Sequence, residues 1–250
     1  MSGPLTAIGL DYSYPSRDRV LRGVGFSVRP GEAVAVIGPS GAGKSTLLRL
    51  LARLARPSAG RVTLGDVDLH DTSQSHALRG AIGYVHQQHG LPATVSVAMA
   101  VLGGRMHAWS PAKVFAAAAI GPTSAETERV GAVLRRVGLE GREFDHVGEL
   151  SVGQRQRVAI ARTLLQAPQL IVADEPVASV DPTTADNVLR LLAGEAERGA
   201  IVLCSVHDVD KARRHFRRVI ALREGALVYD GAHDDLTAVH VTEVYDGCLA

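Results

Sequence analysis

Short apolar runs alternate with segments of helical periodicity along most of the chain. The runs Ala33–Ile37, Leu170–Ala173 and Ile201–Ser205 are almost entirely apolar, as is typical of strands buried on both faces of a sheet. After the first run, leucines recur at helical spacing at positions 47, 48, 50, 51 and 54. Further helices are predicted over 154–166, 183–198 and 208–214. Strands that alternate with helices in this way indicate an α/β domain with a mostly parallel sheet.

The two ends of the chain carry a different, hairpin-like pattern. Residues 5–10 and 20–28 are predicted strands on either side of a polar turn at 15–19. Residues 61–64 and 81–85 are predicted as further strands. Near the carboxyl end, 219–222 and 226–229 form a predicted hairpin around Glu224-Gly225.

Between these β-rich regions, residues 96–137 are rich in alanine and helical in pattern. Gly103-Gly104, Pro111 and Gly121-Pro122 interrupt the pattern and divide it into several short helices. We therefore predict a helical subdomain inserted into the sheet domain.

The composition and net charge of the chain limit the classes of protein to which it could belong. The chain has 250 residues, 46% hydrophobic and 21% charged, which suits one folded α/β domain rather than a disordered chain. A formal net charge of +1 argues against a free-standing nucleic-acid binder. No apolar run reaches the roughly 18–20 residues that span a bilayer, and the amino-terminal residues lack the pattern of a signal peptide. We expect a chain that stays in the cytosol.

The cysteine count excludes a disulfide framework and a zinc knuckle. The two cysteines, Cys204 and Cys248, are too few and too scattered for either. Cys204 is predicted to be a small buried residue of a strand, and Cys248 to be incidental.

A glycine-rich loop lies between the first buried strand and the leucine-patterned helix. It fits the phosphate-binding pattern over Gly38, Pro39, Ser40, Gly41, Ala42, Gly43, Lys44 and Ser45, with Thr46 directly after it. The glycines let backbone N–H groups turn toward phosphate oxygens, and the helix amino terminus adds partial positive charge. Lys44 is predicted to reach the β- and γ-phosphates, and Ser45 to ligate Mg²⁺.

Two carboxylates end the apolar strand at 170–173. Asp174 and Glu175 would lie at the carboxyl edge of the sheet, where α/β proteins bind ligands. Asp174 is a candidate for holding Mg²⁺, and Glu175 for polarising the attacking water. The alternative, an acidic pair that caps a helix, is much weaker beside a phosphate-binding loop.

A third motif indicates the family. Leu150-Ser151-Val152-Gly153-Gln154 resembles the signature of the ABC ATPases, usually Leu-Ser-Gly-Gly-Gln. Gln87 resembles the glutamine of the family's Q-loop, Ser179-Val180-Asp181-Pro182 its D-loop, and His207 its switch histidine. Tyr14 is the preferred candidate to stack on adenine, with Tyr12 as the competitor. The resemblance covers nearly the whole chain, with every motif in the family's order.

The resemblance implies a P-loop, RecA-like nucleotide-binding domain with an amino-terminal antiparallel β-subdomain and an inserted α-helical subdomain. We predict one ABC ATPase domain over 1–250, with the catalytic core at 1–87 and 155–250 and the helical signature subdomain at about 88–154. ATP and Mg²⁺ are the implied cofactors, and Ser45, Gln87 and Asp174 the implied metal site.

In the family two subunits pack head to tail, with each ATP between the phosphate-binding loop of one and the signature of the other. Ser151, Gly153, Gln154 and Asp181 are therefore predicted to contact nucleotide bound to the second subunit. Catalytic roles are implied for Lys44, Gln87, Glu175 and His207, with Glu175 placing the water and His207 bonding the γ-phosphate.

One residue departs from the signature. Val152 replaces its first glycine, and a β-branched residue disfavours a positive φ. If the position needed a left-handed backbone, the γ-phosphate contact would weaken. Because Ser151 and Gly153 are intact, we expect an active ATPase.

Within the family, the sequence resembles the ATPases of phosphonate import. The resemblance rests on Gly83–His89, Val101–Arg105, Ala173–Pro182, Ser205–Ala212 and Ile220–Gly225, which leads to Tyr229-Asp230-Gly231. It implies a transmembrane permease, a second ATPase subunit, a periplasmic solute-binding protein and a peripheral position on the cytoplasmic face of the inner membrane. Another solute (phosphite, phosphate or an amino acid), an exporter, and least of all a non-transport ABC ATPase remain as alternatives.

Three weaker features have a functional and a structural interpretation. His86 and His89 have the spacing of metal ligands, but a loop at the subdomain junction is the better interpretation. The arginine-rich run over 211–218 is interpreted as a solvated helix face rather than a polyanion site. Trp109 is either a contact for the permease or part of the insertion's own core.

Overall fold

The structure is a computed structural model that describes residues 3–15, 17–75, 78–86, 90–178 and 180–245. Its strands are β1 Leu5–Tyr14, β2 Arg17–Val28, β3 Ala33–Ile37, β4 Ala59–Leu64, β5 Val67–Asp68, β6 Ile82–Val85, β7 Leu170–Ala173, β8 Ile201–Ser205, β9 Arg218–Arg223 and β10 Ala226–Ala232. Its helices are α1 Lys44–Leu51, α2 Val97–Leu102, α3 Pro111–Ile120, α4 Ser124–Arg136, α5 Val152–Gln166, α6 Pro182–Ala196, α7 Val209–His215 and α8 Ala238–Tyr245. Short 3₁₀ turns occupy Thr72–Gln74, Gly103–Ala108, Val147–Glu149 and His233–Asp235. None of the helices in the described ranges has the length and apolarity needed to cross a membrane.

The larger sheet has six strands in the order β10-β9-β3-β8-β7-β6. The pairs from β9 to β6 are all parallel, and β10 pairs antiparallel with β9. The predicted α/β fold with a mostly parallel sheet is confirmed. Since β3, β7 and β8 are neighbours, the segments that follow them meet at one edge of this sheet.

The smaller sheet is antiparallel, in the order β2-β1-β4-β5, which confirms the expected amino-terminal β-subdomain. The predicted turn at 15–19 is too long, because Tyr14 pairs with Arg17 and so extends the ladder of β1 and β2. The two-residue strand β5 was not predicted, since its pattern is too short to detect.

Alternate residues of the central strands face two separate apolar cores. In β3, Val34 and Val36 belong to the core beneath the small sheet and α1, whereas Ala35 and Ile37 belong to the core shared with α5 and the helical insertion. This division explains the continuous apolar runs, because a strand covered on both faces buries every side chain. Cys204 of β8 is fully buried, as predicted, and burial raises the pKa of its thiol.

The helical insertion forms as the sequence predicts, with α2, α3 and α4 separated by the glycine and proline breaks. Helix α5 packs against α2 and α4 and also contacts β6 of the large sheet. The predicted boundary between the helical subdomain and the catalytic core, between residues 154 and 155, falls inside α5. The division into subdomains stays a prediction.

The carboxyl-terminal helix α8 was not predicted. Its sequence, Ala-Val-His-Val-Thr-Glu-Val-Tyr, is rich in β-branched residues, which favour strands. The N–H of His240 bonds to the hydroxyl of Thr237 at 3.4 Å, and Val244 is buried in the core that α5 shares. Capping and burial thus override the local propensity.

Glu126 ties α4 to α3. Its carboxylate accepts from the backbone N–H of Thr123 at 3.0 Å in a capping box, and lies 2.8 Å from Nζ of Lys113. The Lys113 ammonium and the Thr123 bonds lower the pKa of Glu126 to about 2. The carboxylate therefore stabilises the fold above its unfolded pKa, and that contribution is lost as pH falls toward the folded value.

We expect Glu126→Ala to lower the free energy of unfolding by about 1–2 kcal/mol at neutral pH, because it removes both the cap and the ion pair. Urea denaturation measures the loss. Glu126→Gln should keep the cap but flatten the fall in stability below pH 4.5. The exposed Glu128→Ala on the same helix is the control, and an equal effect there would contradict the assignment.

Candidate functional site

Two glycines with positive φ shape the loop between β3 and α1. Gly38 has φ 145°, and a Cβ there would lie 2.2 Å from the carbonyl oxygen of Leu222. Gly43 has φ 101° and sits at the amino terminus of α1. Both positions require glycine, because a side chain would clash or be strained. The N–H groups of this loop and of the first turn of α1 can therefore be aimed at an anion.

Lys44 is buried, with 5% of its surface exposed, and its ammonium bends back onto the loop. Nζ donates to the carbonyl oxygens of Gly38 at 2.7 Å and Pro39 at 2.9 Å. Burial lowers the pKa of Lys44, while the charges of Glu175 and Asp174 act in the opposite direction. A cation held this way is prepared to exchange carbonyl oxygens for phosphate oxygens.

Asp174 accepts three side-chain hydrogen bonds at the carboxyl edge of the large sheet. Its Oδ1 accepts from the hydroxyls of Ser205 at 2.9 Å and Ser45 at 3.1 Å, and its Oδ2 from the hydroxyl of Tyr84 at 3.4 Å. Burial, and then the charge of Asp174, raises the pKa of Tyr84 to about 12. Tyr84 thus remains a neutral donor.

Ser205 and Tyr84 were not predicted as site residues, although each lies on a strand that flanks β7. Their positions at the ends of β8 and β6 are visible in the sequence, but only the strand order shows that both face Asp174.

Glu175 follows Asp174 with a left-handed backbone, φ 48°, which is uncommon for a residue other than glycine. Its N–H donates to Oγ of Ser205 at 2.8 Å, which helps to hold this conformation. Its Oε1 lies 2.6 Å from Nε2 of His207. Backbone strain of this kind is found at functional sites, where surrounding structure maintains it.

The side chains meet around a cavity of about 400 Å³. It is lined by Tyr14, Val20, Ser40, Gly41, Gly43, Lys44, Ser45, Thr46, Glu175 and His207. Tyr14 lies in the lining and pairs its hydroxyl with Oγ1 of Thr46 at 3.3 Å, whereas Tyr12 contacts the ring of Tyr14 and packs against the core beneath the small sheet. The structure thus favours Tyr14 over Tyr12 as the residue facing a ligand. Ala42 is buried behind the loop.

The signature residues form the start of α5. Ser151 is the N-cap, and a capping box joins it to Gln154, with bonds of 2.9 and 3.2 Å. In the described part of the chain, neither these residues nor Gly153 lines the cavity around Lys44. One chain therefore presents two separate halves of the predicted nucleotide site.

Val152 is the first residue of α5, and neither Val152 nor Gly153 has a positive φ. The concern that a valine would be strained at this position is therefore unfounded. Its side chain is 47% exposed.

We expect Val152→Gly to change the ATP hydrolysis rate less than about threefold, because there is no left-handed strain to relieve. The substitution exchanges a helical valine for the less favourable glycine, so a small loss of thermal stability should accompany it. Steady-state phosphate release measures the rate, with wild type as the reference. A many-fold increase would instead show that valine holds the site below its full activity.

Asp181 caps α6, accepting from the N–H of Thr184 at 3.0 Å. The bonds from Thr184 lower the pKa of this exposed carboxylate. Like Ser151, it lies apart from the cavity lining. Gln87, Ser179, His89 and Cys248 fall outside the described residues, and the Q-loop glutamine stays a prediction.

The weaker features are tested only in part, because His89 lies outside the described residues. In the described ranges, no cluster of three or more His, Cys, Asp or Glu side chains could hold a metal ion on its own. In the arginine-rich run, His215 and Arg214 pair with Asp186, and Arg218 pairs with Asp230. Trp109 packs against the core that α5 shares, and Lys113 Nζ lies 4.4 Å from its ring centre.

Comparison with known proteins finds a matching family model and similar proteins. A family model described as "ABC transporter" matches residues 21–178. The chain is 39% identical to "Phosphonates import ATP-binding protein PhnC 2" of Haloarcula marismortui, covering 97% of this chain and 90% of that protein. It is 42% identical to the PhnC protein of Alcaligenes faecalis, covering 94% and 86% respectively.

Solved structures agree with this assignment. A dimeric ATP-binding cassette in a post-hydrolysis state, bound to ADP and Pi, is 29% identical with a TM-score of 0.77, covering 92% of this chain and 98% of that chain.

Proposed function

The chain belongs to the ABC transporter family, and we propose that it is the ATP-hydrolysing motor subunit of a phosphonate importer. The motor assignment rests on one observation: one cavity is lined by Lys44, Ser45, Glu175 and His207, and Asp174 bonds to Ser45 beside it. The solute assignment rests on the relatives, which are named for phosphonate import. The nucleotide is ATP, as the family requires.

The phosphates of ATP fit the glycine-rich loop. Lys44 would exchange the carbonyl oxygens of Gly38 and Pro39 for β- and γ-phosphate oxygens, and the amino terminus of α1 would add its partial positive charge. Tyr14, which also lines the cavity, would stack on the adenine.

The residues beside the phosphates suit Mg²⁺. The Ser45 hydroxyl and the Asp174 carboxylate lie 3.1 Å apart, and a hard cation takes oxygen ligands of this kind. Gln87 is the third group proposed for this site. Bound there, the ion would neutralise charge on the β- and γ-phosphates.

Hydrolysis needs a placed water and a stabilised γ-phosphate. Glu175 is the acceptor that would orient the water, and its backbone is fixed by the bond to Ser205. His207, 2.6 Å from Glu175, would hold the carboxylate in place and donate to the γ-phosphate. Positioning and charge stabilisation of this kind carry most of the catalysis in phosphoryl transfer.

The second half of the site would come from another ATPase subunit. Ser151, Gly153, Gln154 and Asp181 lie away from the cavity of their own chain, so we propose that they contact ATP bound to the partner in a head-to-tail dimer. Solved cassettes that resemble this chain form dimers. ATP would stabilise the closed dimer because it binds that state best.

Transport requires further components. We propose that the dimer docks a transmembrane permease on the cytoplasmic face of the inner membrane and that a periplasmic solute-binding protein delivers the solute. Phosphite or phosphate are the competing solutes, since the ATPase itself does not touch the cargo.

Growth of the source organism tests the solute. A strain carrying Glu175→Gln should fail to grow with a phosphonate as the only phosphorus source and should grow normally on inorganic phosphate. A strain carrying the exposed Glu128→Gln is the matched control. Normal growth of the Glu175→Gln strain on phosphonate, with no second importer present, would remove the solute assignment and leave the ATPase assignment intact.

A further inference from the structure

A cleft away from the ATP site has five arginines in its lining. It has a volume of about 730 Å³ and lies between the carboxyl end of α4, the middle of α5 and α6. Five guanidinium groups and one carboxylate line it: Arg135, Arg136, Arg157, Arg190, Arg198 and Glu197. The chain as a whole has a net charge of only +1, so this concentration of positive charge is local.

Three of the five arginines have carboxylate partners. Glu195 pairs with Arg136 and with Arg198, and Glu140 lies 3.0 Å from Arg135. Arg157 and Arg190 have no carboxylate within 4 Å among the described residues. Among the described residues, the side chain of Arg190 has a hydrogen bond to the Asn187 side chain, at 3.1 Å. Neither arginine therefore has a direct ion pair in the described structure, although the charge of Asp181 acts on Arg157 and Glu197 also lines the cleft.

Arg157 is the clearest sign of a missing ligand. One of its terminal nitrogens donates to the carbonyl oxygens of Val137 and Gly138, at 3.1 and 2.9 Å, but its Nε is buried without a hydrogen-bond partner in the described structure. Burial lowers the pKa of this guanidinium. Buried donors are nearly always satisfied, so this side chain has hydrogen-bonding capacity that the described residues do not use.

We propose that this cleft binds a small phosphate- or phosphonate-class dianion. Five guanidinium groups line the cleft, two of them without a direct ion pair among the described residues, so the cleft has an excess of positive charge. Arginine forms paired hydrogen bonds to phosphate and phosphonate oxygens. Val188 and Leu191, which also line the cleft, would contact the organic group of a phosphonate. The site is separate from the ATP cavity and does not depend on the proposed function.

Binding can be measured without ATP hydrolysis. Thermal unfolding of the full chain carrying Lys44→Ala, which weakens phosphate binding at the ATP site, is followed during titration with inorganic phosphate or methylphosphonate at constant ionic strength. Chloride is the control. We expect a saturable rise in Tm of about 3–6 °C at ten times the Kd, because a ligand of the folded state stabilises it.

Substitutions locate the site. Arg190→Gln should raise the apparent Kd at least tenfold while leaving the fold intact, since the bond of Arg190 found among the described residues is to Asn187 of its own helix. Arg157→Gln should do the same, and the exposed Arg129→Gln on α4 is the matched control. The proposal is supported if the rise in Tm saturates with either anion and both cleft variants raise the apparent Kd for that anion. A rise no greater than that with chloride, or one unchanged in both variants, would overturn it.

Discussion

Glu175→Gln should reduce the rate of ATP hydrolysis by roughly 10²–10⁴-fold, or about 3–5 kcal/mol, while leaving ATP binding within a few-fold of wild type. The amide has the size of the carboxylate but lacks the charge that would orient the attacking water. The backbone bond from Glu175 to Ser205 does not involve the substituted group, so its geometry should persist. Phosphate release in single-turnover experiments measures the change.

Because ATP would stay bound, the same variant should accumulate as a closed dimer. Light scattering after size exclusion, with saturating ATP and Mg²⁺, would show a doubled mass that wild type shows only transiently. Glu128→Gln, on the exposed face of α4, should behave as wild type. A Glu175→Gln protein that stayed monomeric at saturating ATP would contradict the proposed mechanism.

Lys44→Ala should weaken ATP binding about ten- to hundred-fold, because it removes a charge-assisted hydrogen bond inside a buried site. Hydrolysis should fall further, by about 10²–10³-fold, since the lysine also stabilises charge on the γ-phosphate during transfer. Fluorescent-nucleotide titration separates the loss of affinity from the loss of turnover.

The effect should belong to the position rather than to the loss of any lysine. Lys211→Ala, on α7, removes the same group outside the cavity lining and should leave ATP affinity unchanged. Lys44→Arg should restore little of the ATP affinity, because the larger guanidinium does not fit the site. Lys44 is only 5% exposed, and its ammonium contacts two carbonyl oxygens. Wild-type affinity in Lys44→Ala would show that the loop does not hold the phosphates.

The local patterns of the chain determined much of the architecture. The runs at β3, β7 and β8 are almost entirely apolar because these strands are covered on both faces, and the sequence therefore places them in a parallel sheet. The phosphate-binding loop is equally local, since Gly38 and Gly43 have backbone angles that only glycine adopts readily. The ends of elements were predicted less well. Helix α1 ends at Leu51, before Leu54, and Arg53 beyond its C-cap has φ 62°. The pairing of Tyr14 with Arg17 makes the first turn shorter than predicted.

The tertiary structure decided which residues share a site. Ser205 and Tyr84 lie 31 and 90 residues from Asp174 in the chain and meet it only because β6, β7 and β8 are adjacent. The same holds for the arginine cleft, whose charged residues come from α4, α5, α6 and the segment after α6, in a chain with a net charge of only +1. Helix α8 contradicts its own β-branched composition because burial of Val244 outweighs local propensity. The sequence thus determined the chemistry of each motif through local backbone and charge, whereas long-range packing determined which motifs act together.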